Sequence, residues 1–190
     1  MFLPAQEKPN MINPNGIPLI IEYPNVITKD IANEIITFAH SEHSGIHRRG
    51  SKSPRMITAS FYTCLMWDTS HKLYELLDPV WEKYCKLVNA NLSFIEWYEI
   101  KSYIEGDEFG YHHDGYCNYN FDIDRKVNMI VQLSDENDYD GGDLIVNSRN
   151  TTRNFGSAIF FPAHLMHSVT PITRGTRYSL IGHGWGPLNF

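Results

Sequence analysis

The second half of the chain is a series of short apolar segments with no helix between them, and this pattern restricts the fold most strongly. β-Branched and aromatic residues alternate with turn residues there. The predicted strands are 94–104, 127–133, 143–147, 157–161, 165–172 and 177–183. Turn residues interrupt them at Asp138–Gly142 and at Arg174–Gly175. Several short strands without intervening helices predict an antiparallel sandwich or barrel.

The first half of the chain carries two helical patterns. Thr28 is a predicted N-cap with Asp30 in the first turn, where a negative charge favours the helix dipole. An apolar stripe follows at helical spacing, formed by Ile31, Ile35, Ile36 and Ala39. A second stripe runs from Leu73 to Val88, and Pro79 within it predicts either a new helix or a kink. Two N-terminal helices packed on a β-sandwich are therefore expected.

Three further segments of the first half lack a helical pattern. Residues 1–18 are rich in proline and are expected to be a loop or an extended arm. Leu19–Ile21 is a candidate first strand, and the polar segment 41–55 is predicted to be a mobile loop.

Length, charge and cysteine content narrow the function classes. A chain of 190 residues fits one domain, and a net charge of −6 disfavours general binding to nucleic acid phosphates. The 3 cysteines form no CxxC pair, which favours reduced thiols in the cytosol over a disulfide or zinc scaffold. No signal peptide pattern and no apolar run long enough to span a bilayer are visible. A cytoplasmic protein is expected.

Two histidines and an aspartate form a candidate metal site. His112 and Asp114 are separated by one residue, so on an extended chain their side chains point to the same face. His167 lies on another predicted strand. Two imidazoles and one carboxylate are the ligands that hold ferrous iron on one face and leave three positions open. A bidentate 2-oxo acid and dioxygen would fill those positions.

A 2-oxo dicarboxylic acid also needs a cation for its distal carboxylate. Arg177 follows on the next predicted strand, and its planar fork suits a carboxylate. Ser179 faces the same way on that strand and offers a hydroxyl group. Together with the distal His167 and the Arg-x-Ser pair, the His-x-Asp motif indicates an iron and 2-oxo acid site far more specifically than it does alone.

From about Tyr103 to the end, the chain resembles the 2-oxoglutarate/Fe(II) dioxygenases, in particular the prolyl 4-hydroxylase-like branch. The matching motifs are YHHDG, QLSDENDYDGGDL, FFPAHLMHSVTPITRGTRYSL and GWGPLNF, and IPLIIEYPNVITKDIANEIITFAHSE resembles the opening strand and helix of the family. The resemblance implies an α+β, mostly β fold with a double-stranded β-helix (jelly-roll) core and N-terminal helices packed on one sheet. It also implies one domain over residues 1–190, with 1–92 as helical support and 93–190 as the catalytic core.

The resemblance further implies roles for individual residues. His112, Asp114 and His167 would bind iron, Arg177 would bind the distal carboxylate of 2-oxoglutarate, and Tyr103 would lie near this co-substrate. Fe(II), 2-oxoglutarate and dioxygen are the implied cofactor and co-substrates, with ascorbate as an additional reductant. The implied reaction hydroxylates a substrate while 2-oxoglutarate is converted to succinate and carbon dioxide.

Several other residues have alternative interpretations. His113 should face away from the site by strand alternation, and so should His164 unless a local bulge reverses it. The trio His40, His43 and His47 has no acidic or cysteine partner, so a second metal site is disfavoured. Cys117 and Trp185 are expected to pack rather than to bind a ligand.

Two charged segments also have alternative interpretations. The basic residues Arg48, Arg49, Lys52 and Arg55 allow a substrate-gripping lid or a solvated loop equally. The acidic residues of 135–143 lack EF-hand spacing and are expected to form a hairpin loop.

Three function classes remain open. Hydroxylation of a peptide or protein residue such as proline leads, with a free amino acid or small metabolite as an alternative substrate. Nucleic acid is disfavoured by the acidic charge and by His183, which stands where demethylases of this kind carry a second arginine. A non-catalytic jelly-roll binding protein is disfavoured by the intact metal and arginine motifs. The sequence does not determine the oligomeric state.

Overall fold

A computed structural model describes residues 16–40, 72–115 and 122–187, together with the backbone of short strands between 47 and 66. The helices are α1 (Lys29–Ala39) and α2 (Lys72–Val88). In chain order, the strands are β1 (Ile21–Tyr23), β2 (His47–Arg48), β3 (Ser51–Ser53), β4 (Met56–Ala59), β5 (Tyr62–Met66), β6 (Phe94–Ile95), β7 (Tyr98–Tyr103), β8 (Phe109–His112), β9 (Ile123–Gln132), β10 (Tyr139–Gly141), β11 (Leu144–Val146), β12 (Arg149–Asn150), β13 (Ala158–Pro162), β14 (His167–Val169), β15 (Ile172–Gly175) and β16 (Arg177–Pro187).

The larger sheet, called the major sheet, contains eight strands in the order β1-β13-β9-β16-β7-β5-β2, with β6 paired to β16. All of its pairings are antiparallel. The four-stranded sheet β12-β11-β14-β8, called the minor sheet, faces it. Strands β10 and β15 form a separate pair, and β3 pairs with β4.

The two helices cover the outer face of the major sheet. Side chains of Ile35 and Leu77 pack there with Phe160 and Leu180 in one buried apolar cluster. A second cluster lies between the two sheets and joins Ile130 and Phe161 to residues of the minor sheet. Burial of both apolar faces of the major sheet is the main force that holds these three layers together. The predicted mostly β architecture with helices on one sheet is therefore confirmed.

The helix predictions agree with the structure in most details. Thr28 is the N-cap of α1, and its hydroxyl oxygen accepts a hydrogen bond from the Ile31 N–H at 3.4 Å. Pro79 lies inside α2, which continues to Val88, so of the two alternatives at Asp78-Pro79 the structure excludes a new helix. Within the described residues, neither helix is long and apolar enough to cross a membrane.

The strand predictions need four corrections. Segment 41–55 was expected to be a loop, yet β2 and β3 begin within it. The first strand is Ile21–Tyr23 rather than Leu19–Ile21. The predicted break at 138–142 contains β10, and the predicted strand 165–172 contains only β14, because Pro171 separates it from β15. The polar composition of β2, β3 and β10 hid these three strands, whose backbone hydrogen bonds come from other strands.

Segments from the first 92 residues also complete the major sheet. Strand β1 pairs with β13, and β5 pairs with β7. The N-terminal part of the chain thus supplies strands as well as the two helices.

Candidate metal and co-substrate site

Two histidines face each other across the minor sheet. His112 ends β8, His167 begins β14, and the antiparallel register pairs the two residues directly. Their ring centroids are 4.2 Å apart. Strand pairing therefore brings together two imidazoles that are far apart in sequence.

The carboxylate of Asp114 completes this group. The backbone N–H of Asp114 donates to the carbonyl oxygen of Ala163 at 2.9 Å, which fixes the chain just beyond β8. Its Oδ1 lies 3.6 Å from His112 Nε2, and its Oδ2 lies 3.2 Å from His167 Nε2. One ligand atom from each of the three residues lies within 4.8 Å of the others.

Backbone carbonyls orient both imidazoles toward this carboxylate. The Nδ1 atom of His112 is 2.6 Å from the carbonyl oxygen of Gly110, and that of His167 is 3.0 Å from the carbonyl oxygen of Leu165. A carbonyl only accepts, so each Nδ1 carries the proton and donates. Both Nε2 atoms therefore point at Asp114 as potential ligands, in the usual arrangement of metal-binding histidines.

The pKa shifts of His112 and Asp114 favour, at neutral pH, the protonation states in which these side chains can bind a metal. Burial, followed by the proximity of His167, lowers the pKa of His112 to about 4. Burial alone would raise the pKa of Asp114, but the hydrogen bond and charge of His167 outweigh it and hold this pKa well below its usual range. A neutral imidazole and an ionised carboxylate are the forms that bind a divalent metal. Two histidines and one carboxylate thus fit Fe(II).

Arg177 lies in the same cavity and is 1% exposed. Its Nη2 donates to Gln132 Oε1 at 3.0 Å, and its Nη1 donates to Ser179 Oγ at 3.4 Å. The Nε atom is buried and has no hydrogen-bond partner. A buried, unsatisfied donor on a guanidinium group is costly, and an incoming carboxylate would satisfy it. Arg177 therefore fits the distal carboxylate of 2-oxoglutarate.

Tyr103 lies directly opposite Arg177 in the pairing of β7 with β16. The guanidinium carbon is 5.4 Å from the centre of the Tyr103 ring, which is 2% exposed. Burial raises the pKa of Tyr103, so its phenol is neutral and can donate a hydrogen bond. The structure brings Tyr103, Arg177 and Ser179 together along the lining of one cavity.

One cavity connects the two groups. His112, Asp114, His167, Arg177 and Ser179 all line it. Apolar walls come from both sheets: Phe109, Ile130, Leu144, Val169 and Ile181. The metal-binding group and the arginine can thus contact one bound molecule.

Four polar residues of this cavity were missed by sequence reasoning. Lys101, Asn128 and His183 line it directly, and Gln132 contacts Arg177. A signal for two of them was present, because Asn128 and Gln132 are polar residues at alternating positions of an otherwise apolar strand. Such residues face one side of a sheet and need a partner when buried.

Other sequence candidates lie outside the site. His113 and His164 are exposed, and the latter sits in a turn rather than on a regular strand. Trp185 donates to Glu96 Oε2 at 2.8 Å and stacks on Phe94, away from the cavity. His40 contacts the Tyr178 hydroxyl group at 2.9 Å.

The remaining candidates divide between surface ion pairs and undescribed positions. Of the acidic residues in 135–143, Asp135, Asp140 and Asp143 form ion pairs with Lys29, Arg174 and Arg153. His43, Arg49, Arg55 and Cys117 lie outside the described residues, as do the side chains of His47, Arg48 and Lys52.

Antiparallel sheets that enclose two histidines, a carboxylate and a buried arginine define the class of jelly-roll non-haem iron proteins. Residues 98–185 match the family model of the 2OG-Fe(II) oxygenase superfamily, so this part of the chain is similar to members of that superfamily. Every predicted metal and co-substrate residue lies within the matched region.

Relatives with a similar sequence are named as hydroxylases. A PKHD-type hydroxylase of Idiomarina loihiensis is 29% identical over 87 residues, which are 44% of this chain and 39% of the relative. The matched region therefore spans less than half of that relative's length.

Solved structures show the same fold. The viral collagen prolyl hydroxylase of Paramecium Bursaria Chlorella virus-1 has a TM-score of 0.71 at 13% identity, over 88% of this chain and 96% of that one. A prolyl hydroxylase of Trichoplax adhaerens, in complex with a hypoxia inducible factor peptide fragment, has a TM-score of 0.66 at 16% identity, over 87% and 83%. Identities this low establish the fold alone, which is the predicted double-stranded β-helix.

Proposed function

We propose that this chain is a 2-oxoglutarate- and Fe(II)-dependent dioxygenase that hydroxylates an unactivated C–H bond. His112, Asp114 and His167 would hold the iron, and Arg177 would bind the distal carboxylate of 2-oxoglutarate. The observation that carries this proposal is the convergence of three ligand atoms within 4.8 Å in a cavity that also contains a buried arginine.

Bound Fe(II) would supply the activation of dioxygen and the oxidative decarboxylation of 2-oxoglutarate to succinate and carbon dioxide. The protein's own contribution is to bind and to orient. Carbonyl oxygens of Gly110 and Leu165 hold the two imidazoles with Nε2 toward the metal position. Three ligands on one face leave the opposite positions for the co-substrate and dioxygen.

Arg177 would fix the far end of the co-substrate through its unsatisfied Nε and a further N–H. Gln132 already accepts from Nη2, so the guanidinium plane is held before the co-substrate arrives. Tyr103 and Ser179 flank the same end and would contribute hydroxyl groups. Apolar walls would exclude water and strengthen these charged contacts.

A peptidyl residue such as proline is the leading substrate. Support comes from proteins of the same fold that are named as prolyl hydroxylases, one of them in complex with a peptide fragment. The curated relative is named a PKHD-type hydroxylase, which also describes hydroxylation.

A small molecule with a carboxylate is a second candidate substrate, and Lys101 supports it. This lysine lines the cavity, its side chain is 13% exposed, and its Nζ lies 3.6 Å from Glu99 Oε2. A second cation beside Arg177 could bind an acidic group of the substrate, and Glu99 could bind an amino group.

Further expectations concern the setting of the reaction. We expect one domain over residues 1–190. A cytosolic location fits a ferrous site and the free thiol of Cys85, since a reducing compartment preserves both. Ascorbate would then keep the iron reduced between turnovers. An acidic chain of net charge −6 remains a poor partner for nucleic acid.

Succinate production from 2-oxoglutarate tests the proposed reaction. With Fe(II), ascorbate and dioxygen, the wild type should form succinate and Asp114→Ala should form none, because it lacks one of three ligands. Asp140→Ala is the matched control, since this carboxylate is 60% exposed and pairs with Arg174. Equal succinate formation by Asp114→Ala and the wild type would refute the metal assignment.

The same reaction mixture with added substrate separates the two substrate classes. A library of prolyl peptides and a panel of free amino acids are incubated separately, and mass spectrometry detects addition of one oxygen atom. Oxygenated peptide supports the leading substrate. Oxygenation of free amino acids that is lost in Lys101→Met supports the second.

A further inference from the structure

Two buried polar residues on the inner face of the major sheet have no part in the proposed reaction. Asn128 on β9 and His183 on β16 are register partners and are 1% and 4% exposed. Their neighbours in the next row of the sheet, Ile130 and Ile181, are apolar. Buried polar side chains among apolar neighbours are costly unless hydrogen bonds satisfy them.

Hydrogen bonds connect this pair to the candidate metal site. Asn128 Nδ2 donates to Asp114 Oδ2 at 2.7 Å, and Asn128 Oδ1 lies 2.9 Å from His183 Nδ1. An ionised carboxylate only accepts, so the amide nitrogen must face Asp114 and the amide oxygen must face His183. His183 therefore carries its proton on Nδ1 and donates it to the amide.

We infer that Asn128 is a positioning residue for the carboxylate ligand and that His183 fixes the orientation of its amide. The inference rests on the proposed metal site and adds the residues that prepare it. The backbone of Asp114 is already held by Ala163, so only rotation of the side chain is left to restrain. The bond from Asn128 restrains that rotation before a metal arrives.

A purely structural role for the pair leads to a different expectation. If Asn128 and His183 only satisfied each other between two strands, their loss would reduce stability and leave metal affinity unchanged in the folded protein. If they position Asp114, metal affinity falls in protein that remains folded. Loss of a residue that orients a metal ligand typically weakens affinity about 10- to 100-fold.

Gln132 provides a matched control on the same strand and face. It is 1% exposed, and its amide oxygen accepts from Arg177 instead of contacting Asp114. Asn128→Leu and Gln132→Leu both replace a buried amide side chain by the same apolar side chain, at two positions of β9. Only the first removes a hydrogen bond to the ligand group.

The experiment titrates metal-free protein with Co(II) and records its visible d–d absorption, which requires no turnover. We expect Asn128→Leu to weaken Co(II) binding about 10- to 100-fold and to change the band shape. Gln132→Leu should keep wild-type Co(II) affinity. His183→Phe should weaken Co(II) binding less than Asn128→Leu does, and His183→Gln, which can still donate to the amide, should restore most of it.

Three outcomes would overturn the inference. Wild-type Co(II) affinity in Asn128→Leu would show that the amide does not position Asp114. Equal weakening in Asn128→Leu and Gln132→Leu would show a general effect of a damaged strand. Absence of Co(II) binding in the wild type would reject the metal site itself and so the proposed function. If Asn128→Leu does not fold, the two His183 variants decide instead. Equal Co(II) affinity of His183→Phe and His183→Gln would then overturn the inference.

Discussion

Replacement of Arg177 by lysine tests the co-substrate assignment with little change in charge. The guanidinium group is 1% exposed and is held by Gln132 and Ser179, while its Nε has no partner. Lysine keeps the positive charge but presents one ammonium group in place of a planar fork. Arg177→Lys therefore removes the paired geometry that two parallel bonds to a carboxylate require.

The expected loss follows from one charge-assisted hydrogen bond. Such a bond contributes about 1.5–3 kcal/mol, which corresponds to about a 10- to 150-fold increase in the dissociation constant of 2-oxoglutarate. Calorimetric titration of Mn(II)-loaded protein with 2-oxoglutarate measures this constant without turnover. Mn(II) affinity, measured separately, should not change, because Arg177 contacts none of the three metal ligands.

Arg174→Lys is the matched control for this experiment. It makes the same exchange on the neighbouring strand β15, where the side chain is 58% exposed and pairs with Asp140. Its 2-oxoglutarate affinity should equal that of the wild type. Unchanged affinity in Arg177→Lys would refute the assignment, and equal losses of Mn(II) and 2-oxoglutarate binding would show that Arg177 acts through the fold.

Three other predictions concern pH, the fold and the phenol beside Arg177. Burial lowers the pKa of His183 to about 3, so the unfolded state binds the proton more readily between pH 6.5 and 3. The metal-free protein should therefore lose about 1.4 kcal/mol of unfolding free energy per pH unit below 6.5 from this group, as measured by urea unfolding, and His183→Phe should lack that contribution. Gly141→Ala should destabilise by about 1–3 kcal/mol in the same assay, since φ is +71° and a Cβ would overlap the carbonyl oxygen of Pro171. Tyr103→Phe should weaken 2-oxoglutarate binding about threefold to tenfold by loss of one neutral hydrogen bond, and unchanged calorimetric affinity would remove the phenol from the site.

The sequence predicts the site better than it predicts the boundaries of the sheets. His112, Asp114 and His167 could be recognised because metal ligation requires particular side chains at particular spacings. Strand pairing then places His112 opposite His167, and the segment just after β8 brings the carboxylate of Asp114 close to both. The chemistry of the ligands is local information, which the sequence contains directly.

The residues around the ligands depend on pairings that the sequence does not display. Asn128 of the major sheet meets Asp114, which follows β8 of the minor sheet, only in the folded chain, and Gln132 meets Arg177 only because β9 pairs with β16. Strands β2 and β3 were missed because their polar sequences give no strand signal and their hydrogen bonds come from other strands. Long-range pairing therefore limits what periodicity alone can predict.

Anaerobic formation of a chelate between Fe(II), 2-oxoglutarate and the protein tests the central claim most directly. When Fe(II) and 2-oxoglutarate are added without dioxygen, the wild type should develop the weak visible charge-transfer band of the chelate. The band should be absent in His167→Ala and unchanged in His164→Ala, whose imidazole is exposed outside the cluster. A wild-type protein that binds Fe(II) but never shows the band would contradict the oxygenase assignment.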